Sequence, residues 1–359
     1  MTEHSAAAFS AAGPTQWSAL AARARVRRRG TAIALYGALI VSALPVLVPY
    51  LWMVTISLSA TSGTVDTSIL WQTAAVLLVA AGLGVAAGRL RPGRRRTAYG
   101  IVVAGALFSL AFLVGPALHG NNFRFLWNPN LIEEIRGVSG AGGGQFPSVW
   151  TAFGNSLLLA GLQTAIVVVV ATLAGYGVSR FAFAGRERAL KTLLVLHAFP
   201  AMTLIIPIFL MLHWVGLLDT IAGVVLVICT LELPFAIFIM KGFFDAVPWE
   251  IEMSALTDGA TRRQAFLWVV LPHVRVGVIA IAIFAFIKGW EEYVFVATLL
   301  LDKSNWVMSL YLFWVADDIM GVDYGIVAAV GVFYMLPTTV LFVFTQKHLT
   351  QMTVGGIRG

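Results

Sequence analysis

Charged side chains embedded in apolar sequence are the groups in this chain with the most chemistry available to them. Glu232 lies beside Pro234 in one apolar stretch, and Lys288, Glu291 and Glu292 lie in another, next to Trp290 and Tyr293. An ionised group at the centre of a bilayer costs about 2.5–3.5 kcal/mol on insertion scales, so it is retained where it meets a water-filled path, another subunit or an opposite charge. Aromatic faces stack on sugar rings and carboxylates accept hydrogen bonds from hydroxyls, so Glu232, Lys288 and Trp290-Glu291-Glu292-Tyr293 suit the wall of a polyol path. The other reading is that Lys288 and Glu292, four apart on a helix, neutralise each other or pair with a partner subunit. His197 and His213 have no relay of acids beside them and read as packing or interface residues.

A second group of residues is arranged for docking rather than for chemistry. In Val247-Pro248-Trp249-Glu250-Ile251-Glu252-Met253-Ser254-Ala255-Leu256-Thr257-Asp258-Gly259-Ala260, Pro248 fits a helix first turn and good helix formers follow it. Gly259 stands where a helix end favours a left-handed residue, and a second helix-compatible run continues to Val269-Val270-Leu271-Pro272. The spacing predicts a short amphipathic helix, a turn and a second helix, with an exposed apolar face. Such an element either lies on a membrane surface or docks in a groove of another protein.

The elements that must hold these residues are membrane spans. With 59% hydrophobic residues, 11% charged and a mean hydropathy of +0.87, the composition excludes a water-soluble globule. A span needs about 20 mostly apolar residues, and the stretches 32–54, 68–88, 98–118, 155–178, 190–212, 221–240, 276–298 and 325–345 qualify. They are continuously apolar, without the alternation of a barrel strand, so the expected fold is an all-α polytopic membrane protein of about eight transmembrane helices.

The net charge of +7 reports topology rather than a nucleic-acid footprint. Arginines cluster at 23–29 before the first span and at 89–96 in the second inter-span loop; Arg180, Arg186, Arg188 and Lys191 fill the fourth loop. Lys241, Arg262, Arg263 and Arg275 flank the docking loop, and Lys347 and Arg358 end the chain. Only Arg124, Arg136 and Lys303 fall on the opposite side, which places both termini in the cytoplasm. Cys229 is the single cysteine, so no intrachain disulfide or cysteine metal cluster is expected. Residues 1–30 are polar and Arg-rich with no preceding apolar region, so the first span is expected to serve as the insertion signal. The run Gly137–Gln145 is glycine-rich but lacks the Gly-Lys-Ser/Thr of a phosphate cradle and reads as a flexible extracytoplasmic linker.

The loop 247–272 resembles the cytoplasmic coupling loop of bacterial ABC importer permeases, which reads Glu-Ala-Ala, three residues, Gly, nine residues, an aliphatic residue, one residue, Leu-Pro. Gly259 takes the glycine, Met253, Ser254 and Ala255 the triplet, Ala260 to Trp268 the nine, and Val269 and Leu271-Pro272 the close. Met253 replaces the usual glutamate, while Glu252 stands one place earlier. Asn155-Ser156, Gly175–Arg186 and the ending Gln346-Lys347 … Gly355–Gly359 are similar to the carbohydrate, maltose-type second permease of the same family. The resemblance implies a type I ABC importer transmembrane domain that pairs with a second homologous permease, rests on two ATPase subunits and receives solute from an extracytoplasmic solute-binding protein. It implies ATPase coupling through Trp249, Glu252, Met253, Ser254, Ala255, Asp258, Gly259 and Ala260. It also implies that no cofactor is bound by this chain, ATP and Mg residing on the partner ATPase subunits.

The organisation expected is a cytoplasmic basic tail at 1–31, a first span at 32–54, an inserted helix pair at 68–118 and an extracytoplasmic loop at 119–150. A transmembrane core at 151–350 and a cytoplasmic tail at 351–359 complete it. The inserted pair is absent from the six-span pattern and reads either as lipid-facing helices or as a partner interface. Asp302, Asp317, Asp318 and Asp323 with Trp306 and Trp314 form an extracytoplasmic surface that either receives the binding protein or is simply solvated. The alternative of another class is an ion-coupled secondary transporter relaying protons through Glu232, Lys288, Glu291 and Glu292, although the sequence carries no evident inverted repeat to support it.

Overall fold

The computed structural model describes residues 45–59, 68–88, 92–115, 118–128, 146–317 and 323–355, with isolated positions 35, 38, 42, 90 and 131. The basic tail 1–31, the glycine-rich run 137–145, Asp318 and the last four residues lie outside them. The chain forms two compact units, one of Met1–Thr55 with Thr67–Gly115 and the other of Ile56–Asp66 with Pro116–Gly359.

In the first unit, α2 (Ser68–Ala87) and α3 (Pro92–Leu113) follow the short apolar helix α1 (Pro45–Ser57) and pack together as a hairpin. Beyond Arg94–Arg96 at the start of α3 their faces are apolar all round and largely exposed, as expected of helices in hydrocarbon.

The second unit is built on α4 (Val149–Arg180), the longest contact of which is with α7 (Ile221–Asp245). Between α4 and α7 lie α5 (Arg186–Ala198) and α6 (Ile205–Trp214). The docking loop forms α8 (Trp249–Thr257) and α9 (Arg262–His273), and α10 (Arg275–Glu291) then packs on both α4 and α7. Short helices α11 (Val294–Leu299) and α12 (Met308–Ala316) lead into α13 (Tyr324–Gly355). The α4–α7 crossing is close because Gly175 has no side chain: a Cβ there would lie 2.7 Å from Met240 Cβ and 3.0 Å from the Lys241 amide nitrogen. Pro234 is buried within α7 without ending it, as proline commonly is in membrane helices.

Four helices among the described residues are long and apolar enough to cross a membrane: Gly93–Leu113, Val149–Arg180, Ile221–Asp245 and Tyr324–Gln346. Two bent pairs, Arg186–Ala198 with Ala201–Trp214 and Arg262–His273 with Arg275–Glu291, raise the number to six. The expected span 68–88 is the 20-residue helix α2, and of the expected span 32–54 the part before residue 45 lies, apart from isolated positions, outside the described residues. The expected span 190–212 is two helices crossing at 86°, because Phe199 precedes Pro200 and is held extended with ψ 135°. The expected span 276–298 also breaks, at Glu292, whose backbone is extended at ψ 120°.

Candidate functional site: a clamped docking element

The helix α8 opens after Pro248 and carries Glu250 and Glu252 in its first turn, where the helix dipole favours acids. It ends as expected at Gly259, whose φ of +93° lies in the left-handed region that glycine adopts without strain. Nothing lies within 4 Å of a Cβ built there, so the demand for glycine is one of backbone conformation and not of space. The chain restarts at Thr261, whose hydroxyl accepts from the Gln264 amide at 3.3 Å while Gln264 Oε1 accepts from the Thr261 amide at 2.8 Å. This reciprocal cap begins α9, the middle of which, Ala265–Val270, winds as a π-helix.

One feature was not legible in the loop itself. Glu252 is 2% exposed and its carboxylate is held by two residues from the end of α4, 76 and 72 positions away. The Tyr176 hydroxyl donates to Oε1 at 2.6 Å, and Arg180 Nε faces Oε2 at 3.1 Å as an ion pair. Arg180 also donates through Nη2 to the Val247 carbonyl at 2.8 Å, and its guanidinium lies 5.3 Å from the centre of the Trp249 ring. One buried arginine therefore touches Val247 two residues before the docking helix, its first residue and its buried acid. Beside it, Asp245 accepts from Ser179 at 2.6 Å and pairs with Lys241, and the Arg262 guanidinium lies 5.3 Å from the Phe181 ring centre. The ends of α4 and α7 and the two docking helices are thus tied at one level.

Of the expected coupling residues, Trp249, Ser254, Asp258 and Gly259 are exposed, and Met253, Ala255 and Ala260 are half-buried. Glu252 faces inward, so its place is that of an anchor and not of a surface contact. The apolar face expected to be free is partly turned in, with Ile251 packed against the main core. The exposed apolar surface comes instead from Trp249 and from the π-helix, where Trp268 is 79% exposed.

The expected path residues separate. Trp290 is 1% exposed, stacked at 5.6 Å on Tyr334 and donating to the Tyr334 carbonyl at 3.1 Å, so it is a core residue and not a wall of a path. Glu292 accepts from the Phe295 amide at 3.0 Å and caps α11, and it makes no ion pair with Lys288. Lys288 and Glu291 are exposed on this chain, while Glu292 and Tyr293 are half-buried. The structure does bring Lys288, His197 and Glu292 within electrostatic reach of Glu232. His197 stacks on Phe235 at 5.2 Å, both of them exposed on this chain, and His213 is exposed at the end of α6.

Of the acids expected on the extracytoplasmic side, Asp302 and Asp323 are used within the chain. Asp323 accepts from the Gly325 amide at 2.9 Å at the start of α13. Asp302 accepts from the Ser304 amide at 2.8 Å, which holds its carboxyl below the usual carboxylate range. Trp306 is buried and stacks on Trp314 at 5.4 Å, so it is not part of an open surface. Asp219, which the sequence did not single out, sits at φ 61° and accepts from the Leu301 amide at 2.9 Å and the Asp302 amide at 3.0 Å.

The longest spans of this helical membrane protein thus carry a clamped helix-turn-helix at one end. Residues 168–353 match the family described as "Binding-protein-dependent transport system inner membrane component", and the chain belongs to it. It is similar to the trehalose transport system permease protein SugB of Mycobacterium tuberculosis, 30% identical over 57% of this chain and 76% of the relative. It is also similar to the maltodextrin transport system permease protein MdxG of Bacillus subtilis, 30% identical over 58% of this chain and 75% of that protein. Its fold matches the crystal structure of a bacterial ABC transporter involved in the import of the acidic polysaccharide alginate, with a TM-score of 0.60 at 18% identity over 89% of this chain and 96% of that one. The chain is an inner-membrane permease subunit of a binding-protein-dependent ABC transport system.

Proposed function

We propose that this permease translocates a sugar or a related polyol or oligosaccharide, driven by ATP hydrolysis on separate subunits. The relatives named above transport trehalose and maltodextrin, which supports the substrate class. In this reading the permease pairs with a second, homologous permease, two ATPase subunits dock on α8 and α9, and an extracytoplasmic binding protein delivers solute. Both termini lie in the cytoplasm. No cofactor is held by this chain, and ATP and Mg reside on the ATPases.

The observation that carries the mechanism is the Arg180 clamp. Through Glu252, Val247 and Trp249 it makes the docking helix and the end of α4 one body, so a displacement of α8 by a closing ATPase is delivered to a helix of 32 residues. The coupling residues are Trp249, Met253, Ser254, Ala255, Asp258, Gly259 and Ala260 as the contact surface, with Trp268 added and Glu252 as the anchor. Lys288 and Glu291, exposed on this chain at the end of α10, face the partner permease and the path, with Glu232, Glu292 and Tyr293 beside them.

The test is reconstitution of the complex with its ATPase and binding protein in proteoliposomes, followed by uptake of labelled trehalose and maltodextrins. Uptake that requires ATP and the binding protein is expected. Uptake by this chain alone under an imposed pH gradient, without ATP, would overturn the proposal in favour of an ion-coupled carrier.

A further inference from the structure

The α2–α3 hairpin plays no part in the mechanism above, and its composition is unusual. From residue 67 to residue 132 the sequence contains no Asp or Glu. Within it Arg94, Arg95 and Arg96 are consecutive on the first turns of α3, all exposed and none in an ion pair with a described residue. Successive helical residues are about 100° apart, so these three form a partial collar rather than a single stripe. At the start of a helix the backbone dipole gives a cation no stabilisation, so nothing within the hairpin neutralises them. One turn on, Tyr99 crosses the glycine face of α2: its ring lies 3.9 Å from a Cβ built on Gly84, and its hydroxyl 3.1 Å from one built on Gly88. This places an amphipathic ring at interface depth.

Below that ring the two helices leave space between their side chains. A groove of about 440 Å³ runs between them, lined by Val79, Leu83, Ile101, Gly105, Ser109 and Leu113. From Ile101 to Leu113 the helix rises about 18 Å, somewhat more than half of the ~30 Å hydrocarbon thickness, which is enough to reach through one leaflet. Ile101 lies about 7 Å along the axis from Arg96. A cationic collar, an interfacial tyrosine and a leaflet-deep apolar groove follow one another in the order of headgroup, glycerol region and chain.

We propose that the α2–α3 hairpin is a binding site for one anionic phospholipid, with its phosphate at Arg94–Arg96 and an acyl chain in the groove beside Gly105. Each basic group near a membrane surface is worth about fivefold in affinity, so the three together give a preference for an anionic over a zwitterionic headgroup on the order of a hundredfold. The proposal concerns the hairpin alone and stands or falls independently of the transported solute.

The assembled complex is purified and delipidated, then titrated with phosphatidylglycerol and with phosphatidylcholine of identical chains, with native mass spectrometry as readout. Wild type should retain phosphatidylglycerol, and the triple change Arg94→Gln, Arg95→Gln, Arg96→Gln should abolish the preference. The triple Lys variant, which keeps the charge that orients the hairpin, should preserve it. Gly105→Leu, filling the groove, should weaken phosphatidylglycerol binding, and inorganic phosphate should not compete. Equal retention of both lipids by wild type, an unchanged preference in the Gln variant, displacement by inorganic phosphate, or a partner transmembrane helix crosslinked in the groove in place of lipid would each overturn the proposal.

Discussion

Removing Arg180 should disconnect the docking helix from the membrane helices while leaving both folded. Its side chain and that of Glu252 are 6% and 2% exposed. Breaking a buried ion pair by deleting one partner costs about 3–5 kcal/mol, because the remaining charge is left without compensation. The helix α8 has nine residues, too short to persist in place by its own propensity. A local loss of about 3 kcal/mol corresponds to a change of about 150-fold in an equilibrium. In Arg180→Met, amide hydrogen exchange at 251–257 should therefore accelerate on the order of a hundredfold, with exchange in α4 and α7 unchanged. Glu252→Met should do the same. The double change replaces both charges by apolar groups of similar volume and should cost less than the sum, with an interaction energy of about 2–3 kcal/mol. In proteoliposomes both single variants should hydrolyse ATP with little uptake. If the single changes each alter exchange by less than fivefold and simply add, the clamp is a bystander and the reasoning fails.

Three further outcomes follow from the geometry. Gly259→Val forces a β-branched residue to φ +93°, at a cost of about 1–2 kcal/mol or more, and should lower uptake per ATP hydrolysed with insertion unchanged; Gly259→Asn, which tolerates that region, should be close to normal. Trp290→Ala should reduce the yield and thermal stability of the complex, by about 3–5 kcal/mol for a buried aromatic, whereas Glu291→Gln should leave assembly intact and change uptake alone. Reporter fusions at Arg94 and at both termini should report cytoplasm, and a fusion near residue 140 should report the outside; the reverse at Arg94 would remove the basis for placing the hairpin.

What was legible in the sequence is what is local. The docking loop could be read because proline, helix formers, a glycine and a second run succeed one another within 26 residues, and the structure places α8, Gly259 and α9 accordingly. The clamp could not be read from the loop, since Arg180 and Glu252 meet only when α4 and α7 pack. The burial of Glu252 nevertheless gives a structural role to an acid that stands one place before the position the resemblance implies. The intramembrane charges divided for a similar reason. An apolar run shows that Trp290 is in the membrane, but only the packing of α4, α10 and α13 shows that it points inward. The breaks at Phe199–Pro200 and Glu292 were hidden because hydropathy does not register direction. Pro200 was a signal that the span could bend, whereas Glu292 as a cap for α11 left no mark beyond its charge.

The π-wound segment Ala265–Val270 has a consequence for what the chain tolerates. A single extra residue in a helix advances everything beyond it by about 100° of azimuth. The wider winding takes up such an increment before the chain reaches Leu271-Pro272, and on the same segment Trp268 points outward while Phe266 and Val270 point into the core. The interval between Gly259 and Leu271 is therefore a phase as well as a length. Point substitutions within it leave that phase intact, but loss of one residue from the α-wound turn Arg262–Gln264 would turn the tryptophan toward the protein and a core side chain outward. A spacing that looks like a string of unremarkable letters is thus an angular setting, and indels there are expected to be far more damaging than changes of residue type.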